Sequence, residues 1–162
     1  MLPRNDAQYR PGVGIVLFNK QGGVLIGERL DNPGKWQMPQ GGIDEGEDPE
    51  VAVFREMEEE IGTRNARILA VMEDWLYYDI PSHTAKKIWD NKYLGQRQKW
   101  IALEFLGQDS DINLDTHHKP EFGRWKWVPL DHLLDYVVPF KRDVYVGVMK
   151  EFSGIPAKLK QA

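Results

Sequence analysis

Residues 48–62 constrain the fold more than any other stretch of this 162-residue chain. Asp48 has the side chain that caps orphan amide groups at a helix start, Pro49 suits the first helical position, and Gly62 suits the left-handed residue that ends a helix. The bracketed helix is about three to four turns long. At about 100° per residue, Phe54, Met57 and Ile61 fall on one side, while Glu56, Glu59 and Glu60 share an arc of roughly 100° on the other. Such a helix needs an apolar layer beneath it and a reason for its carboxylates to stand together.

The surrounding pattern supplies the layer. Val13 to Phe18 reads as a buried strand, Asn19 to Gly23 as a turn, and Val24 to Ile26 as the returning strand of a hairpin. Residues 30–46 read as a polar loop around one brief strand. Arg67 to Ile80 and Gln98 to Leu106 have the aromatic and β-branched content of long strands, and Gly123 to Val128 alternates Trp125 and Trp127 with basic residues, which assigns both tryptophans to the core. Leu130 to Val137 and Lys141 to Phe152 read as helices. Pro81 to Gly95 reads as a polar, mobile loop, and the tail after Ser153 as unanchored. Interleaved strands and helices, with no internal repeat or linker, predict one α/β domain over residues 1–162, a mixed sheet covered by helices.

Nine acids (Asp44, Glu45, Glu47, Asp48, Glu50, Glu56, Glu58, Glu59 and Glu60) stand against one base, Arg55, in the window 44–60. The whole chain carries a net charge of −4, so the remainder is mildly basic. Carboxylates three and four residues apart on a helix repel one another, and only Arg55 is close enough in sequence to relieve them. Either the face is simply solvated or it holds a hard divalent cation through oxygen ligands. The chain has no cysteine, which excludes disulfides, thiolate catalysis and Cys-based metal sites. His117-His118 beside Asp115 lies in a polar loop and is not expected to hold a transition metal. Gln40-Gly41-Gly42 through Glu47 reads as a tight loop whose backbone approaches the helix start, where carbonyls can join a metal shell and amide groups can favour phosphate. With no membrane-span run and no signal-peptide stretch, a cytoplasmic protein is expected.

Gly41, five residues, Glu47, seven residues, then Arg55-Glu56-Met57-Glu58-Glu59-Glu60-Ile61-Gly62-Thr63 resembles the Nudix box of Nudix hydrolases; only Thr63 departs, standing where the family usually has an aliphatic residue. The resemblance implies an α/β/α sandwich with a mixed β-sheet. It also implies hydrolysis of a phosphoanhydride bond with Mg²⁺, or Mn²⁺ as a substitute. Gly41, Glu56, Glu59, Glu60 and Glu121 are the implied metal ligands, with Glu56 or Glu121 as proton acceptor. Outside the box, Tyr9 to Gly14, Trp36 to Gly42, Gly95 to Trp100, Pro120 to Phe122 and Phe140 to Tyr145 are similar to bacterial RNA pyrophosphohydrolases and to asymmetrical diadenosine tetraphosphate hydrolases.

The expected substrate is therefore 5′-triphosphorylated RNA, cut to a 5′-monophosphate with release of pyrophosphate in the initiation of mRNA decay. A dinucleoside polyphosphate is the alternative, and a nucleotide-binding module without turnover the second alternative. Arg10, Arg29 and Lys141 match positions that contact phosphates or the first nucleotides, and Val138 and Phe140 match positions that pack a base. By residue type alone, Arg10 and Arg29 are also compatible with surface cations, Lys141 with a helix cap, and Phe140 with core. No membrane partner is expected, and no protein activator is identifiable.

Overall fold

The computed structural model describes residues 5–161. Its centre is the pairing of β1 (Tyr9–Phe18) with β7 (Gly95–Phe105), a parallel ladder in register from Tyr9↔Gly95 to Phe18↔Glu104. Around it the strand order is β3 (Trp36–Gln37), β2 (Gly23–Arg29), β1, β7, β5 (Ala66–Val71). β4 (Gln40–Gly42) adds antiparallel to β1, β6 (Leu76–Asp79) to β7 and β8 (Phe122–Pro129) to β2. The sheet is mixed, as the interleaved pattern predicts.

Period-two alternation on β1 distributes the core. Val13, Ile15 and Leu17 face one side, where Ile101 and Leu103 join them against Ala52, Val53, Met57 and Ile61 of α1 (Pro49–Ile61). Val16 and Phe18 face the other, where Trp100 packs with Val144, Tyr145 and Val148 of α3 (Arg142–Glu151). Helices thus cover both faces of one sheet.

Four local expectations are corrected. Arg67 to Ile80 is two strands, because the chain shifts register between Ile68 and Ala70, leaves the ladder after Val71 and rejoins β7 at Leu76. Pro81 to Gly95 contains a helix, α2 (Ser82–Trp89), that buries only Ala85 and so has too narrow an apolar stripe to signal itself. Leu130 to Asp135 is a 3₁₀ turn, with Leu130 and Leu133 buried at the three-residue spacing that aligns side chains in that geometry. The segment after Ser153 is not unanchored: α4 (Ile155–Gln161) sets Leu159 into the α3-side core, with Ile155 packed against it. Leu159→Ala is accordingly expected to cost about 2 kcal/mol of stability in denaturant titration, a change that a loose tail would not register. Trp125 and Trp127 share a strand face as predicted. They are only half-buried, edge-on to each other at 5.6 Å against the α1-side core.

Candidate active site

The carboxylate helix forms as its ends dictate. The Asp48 side chain accepts from the Glu50 amide at 2.8 Å, Pro49 occupies the first turn, and Gly62 closes the helix at φ 78°, its amide donating to the Glu58 carbonyl at 2.9 Å. A side chain at Gly62 would be strained at that φ and would press on the Asn113 carbonyl. Burial of Met57 and Ile61 fixes the rotation of the helix, and the glutamates follow from it. Glu56 and Glu60 are each 9% exposed, whereas the Glu59 side chain is 39% exposed.

Arg55 joins this helix to the loop before it. It donates to Glu47 Oε2 at 2.9 Å and Oε1 at 2.8 Å, to the Gly42 carbonyl at 2.9 Å and to Glu56 Oε1 at 2.8 Å, and it lies 3.5 Å from Glu59 Oε1. The guanidinium and the Asp44 amide hold the Glu47 carboxyl down at about 2. The repulsion expected on this face is thus partly relieved from within the helix itself. β4 runs so close to it that a Cβ at Gly41 would occupy the space of the Glu56 carboxylate.

Glu56, Glu60 and Gly41 open into a cleft of about 470 Å³. Arg10, Arg29, Glu121, Phe140 and Lys141 line the same space, so eight sequence-predicted residues converge there from β1, β2, β4, α1, the loop before β8 and the turn before α3. Two do not line it. Glu59 lies to the side near Arg55, and Val138 is buried, 6% exposed, and does not line the cleft. Phe140 is 37% exposed and tilts against Tyr78 at 5.9 Å, which removes the core reading. Arg29 is locked by a double hydrogen bond to Asp31 at 2.9 and 2.8 Å.

Gln37, Gln40, Tyr78, Gln96 and the α2 residues Thr84, Ile88 and Trp89 complete the wall, and sequence reasoning assigned none of them a site role. Lys141 Nζ donates to Gln37 Oε1 at 2.9 Å and Gln40 Oε1 at 3.2 Å, and Gln40 Nε2 donates to Tyr78 Oη at 3.2 Å. Gln37 and Gln40 fall within Trp36 to Gly42 and Gln96 within Gly95 to Trp100, two of the segments that carry the resemblance outside the box, and that is the signal by which they could be found. A larger groove of about 640 Å³ lies between the β2–β8 end and α3–α4, but it is lined mainly by residues such as Trp127, Leu130, Met149 and Pro156 and holds none of the predicted groups.

Burial dominates the electrostatics. It raises the Glu60 carboxyl well above its ordinary range, reinforced by Glu121 and Glu56, and it raises Glu56 against the opposing pull of Arg55. Burial also pushes Lys141 down to about 7, with Arg29 adding repulsion. Such a site disfavours charge on its own groups until a charged ligand arrives.

The chain matches the family model for the NUDIX domain over residues 8–147. It belongs to the Nudix hydrolase family. It is 57% identical to a Rhodospirillum rubrum protein named RNA pyrophosphohydrolase, over 90% of this chain and 88% of that one. It is 51% identical to a protein of the same name from Roseobacter denitrificans, over 94% and 98%. Among solved structures, E. coli dihydroneopterin triphosphate pyrophosphohydrolase aligns with a TM-score of 0.64 over 86% of this chain and 95% of that one, at 20% identity, which shows a shared fold. No helix among the described residues is long and apolar enough to cross a membrane.

Nudix hydrolases generally use divalent metal ions, and the residues here fit one. Glu60 Oε2 is buried without a hydrogen-bond partner, facing two further carboxylates. Among the described residues no three acidic or imidazole groups close around one point as a complete cage. A hard cation that uses one or two carboxylates plus substrate phosphates needs none.

Proposed function

We propose that this Nudix hydrolase removes pyrophosphate from the 5′-triphosphate end of RNA and leaves a 5′-monophosphate. The observation that carries the reading is one cleft in which buried carboxylates face Arg10, Arg29 and Lys141, with the Phe140 ring exposed beside them. Relatives of nearly the same length that share about half their sequence with this chain carry the matching name, which supports the same substrate.

In this reading Glu56, Glu60 and the Gly41 carbonyl would hold Mg²⁺, with Glu59 beside them. The cation, when bound, offsets the polyphosphate charge and makes water a better nucleophile at phosphorus. The protein's own groups do the rest. Arg10 and the free edge of the Arg29 guanidinium bind phosphate oxygens through charge-assisted hydrogen bonds, and Asp31 fixes the orientation of Arg29. Burial disfavours the charge on Lys141, and phosphates entering the cleft favour its protonated form. We assign proton acceptance to Glu121, which makes no ion pair among the described residues, because Arg55 already occupies Glu56 Oε1.

Competition between 5′-triphosphorylated RNA, a nucleoside triphosphate and diadenosine tetraphosphate, with product masses resolved, tests the proposal. Highest kcat/KM on RNA with pyrophosphate release is expected. Preference for the tetraphosphate would replace RNA as substrate, and binding without turnover would leave a nucleotide-binding module. Phe140→Ala is expected to lower kcat/KM on RNA about 10-fold, the effect of one lost stacking contact, with a smaller fall in melting temperature than a core phenylalanine would give, because the residue is 37% exposed. A large fall in melting temperature, with equal losses on both substrates, would return Phe140 to a packing role.

A further inference from the structure

The cleft has a wall that polyphosphate binding does not explain. α2 contributes Thr84, Ile88 and Trp89 to it, and Ile80 precedes them, so this side of an otherwise charged cavity is largely apolar. Ile88 is 55% exposed and lines the cleft, so its side chain is available to a ligand there. Trp89 is held edge-on by Tyr93, with ring centroids 5.7 Å apart, and Lys92 lies 5.3 Å from the Tyr93 ring. The chain between them turns through two consecutive non-glycine residues of positive φ, Asp90 at 51° and Asn91 at 61°. That conformation is costly for most side chains and tolerated by Asp and Asn. It ends α2 directly after Trp89, leaving the indole at the rim of the cleft instead of on a continuing helix.

An apolar and aromatic surface beside a phosphate site suits the flat, apolar face of a nucleobase. We propose that α2, through Ile88 and Trp89, is a second base-binding wall of this enzyme, lining the same cleft as Phe140. The inference rests on the nucleic-acid reading of the site and extends it. The wall adds affinity for a nucleotide end over bare polyphosphate, and because stacking accepts every base it does so without a strong sequence preference.

The test compares Trp89→Ala, Trp89→Phe and Ile88→Ser with wild type on two ligands: 5′-triphosphorylated RNA as substrate, and inorganic tripolyphosphate as a competitor that has phosphates but no base. Trp89→Ala is expected to raise KM for RNA about 10-fold with kcat nearly unchanged, while the inhibition constant of tripolyphosphate stays within about twofold. Trp89→Phe should recover most of the loss, since it retains a ring. Ile88→Ser, at an exposed position, should shift KM the same way without lowering the melting temperature. Unchanged KM for RNA in both Trp89→Ala and Ile88→Ser would overturn the proposal. So would equal weakening of RNA and tripolyphosphate, which would mean that α2 only shapes the phosphate site. If wild type prefers diadenosine tetraphosphate to RNA, the substrate reading fails by itself, and the same variants measured on that compound against tripolyphosphate still decide the base wall.

Discussion

Replacing Glu60 with glutamine is expected to lower pyrophosphate release by about 10²-fold or more while raising the melting temperature of the protein in chelator. The two effects share one cause. Glu60 sits at the bottom of the cleft with Oε2 unpartnered, and the charges of Glu56 and Glu121 bear on it. An ionised carboxylate there is opposed both by lost hydration and by its neighbours, and a bound cation removes both penalties. Glutamine keeps the size, discards the charge and presents an amide N–H to the carboxylates around it. The apo protein gains and the loaded enzyme loses. Chelation should likewise abolish turnover of the wild type. Glu59→Gln, measured alongside, decides whether the half-exposed carboxylate beside Arg55 also serves the metal. Near-normal activity of Glu60→Gln would sink the metal assignment, and a lowered melting temperature in chelator would make Glu60 a structural residue.

Arg55→Ala is expected to damage stability and activity together. The guanidinium makes four charge-assisted or backbone contacts that tie Glu47, Gly42 and Glu56 into one unit, so its removal detaches the loop from the helix and leaves the buried Glu56 uncompensated. A loss of about 2 kcal/mol follows from hydrogen bonds to charged groups in a partly exposed setting. A lysine cannot restore it, because a point charge cannot address four acceptors in a planar fork. The pH dependence gives a separate signature. Glu47 titrates at about 2 in the folded protein against 4.5 ordinarily, so its share of the stabilisation is complete above 4.5 and is lost as pH falls towards 2. The gap in melting temperature between wild type and Arg55→Ala should be widest near neutrality and narrow through that window. A gap independent of pH would mean that the clamp acts by packing alone.

Both variants concern residues legible in the sequence, and the reason is that their signals are local. Asp48, Pro49 and Gly62 specify helix ends by backbone chemistry within a few residues, and the 3.6-residue period of Phe54, Met57 and Ile61 places the glutamates opposite them before any tertiary contact forms. The apolar run of β1 and the alternation in β8 are equally local. The errors fall where local pattern is thin. α2 buries only Ala85, α4 chiefly Leu159, and the break between β5 and β6 is imposed by a partner strand and not by a Gly or Pro in the segment.

The sequence by itself determined the carboxylate helix, its glycine-rich approach and the chemical kind of ligand those groups can hold, because each depends on residues adjacent along the chain. Only the tertiary structure decided which candidates share a cavity. It brought Arg10, Arg29, Glu121, Phe140 and Lys141 to Glu56 and Glu60, set Glu59 aside and buried Val138. It also turned a segment read as loop into the apolar wall of the site. Convergence of this sort is fixed by how helices lie on a twisted sheet and by strand register. Those are properties of contacts between residues far apart in the chain, such as Lys141 with Gln37, and no window of sequence contains them.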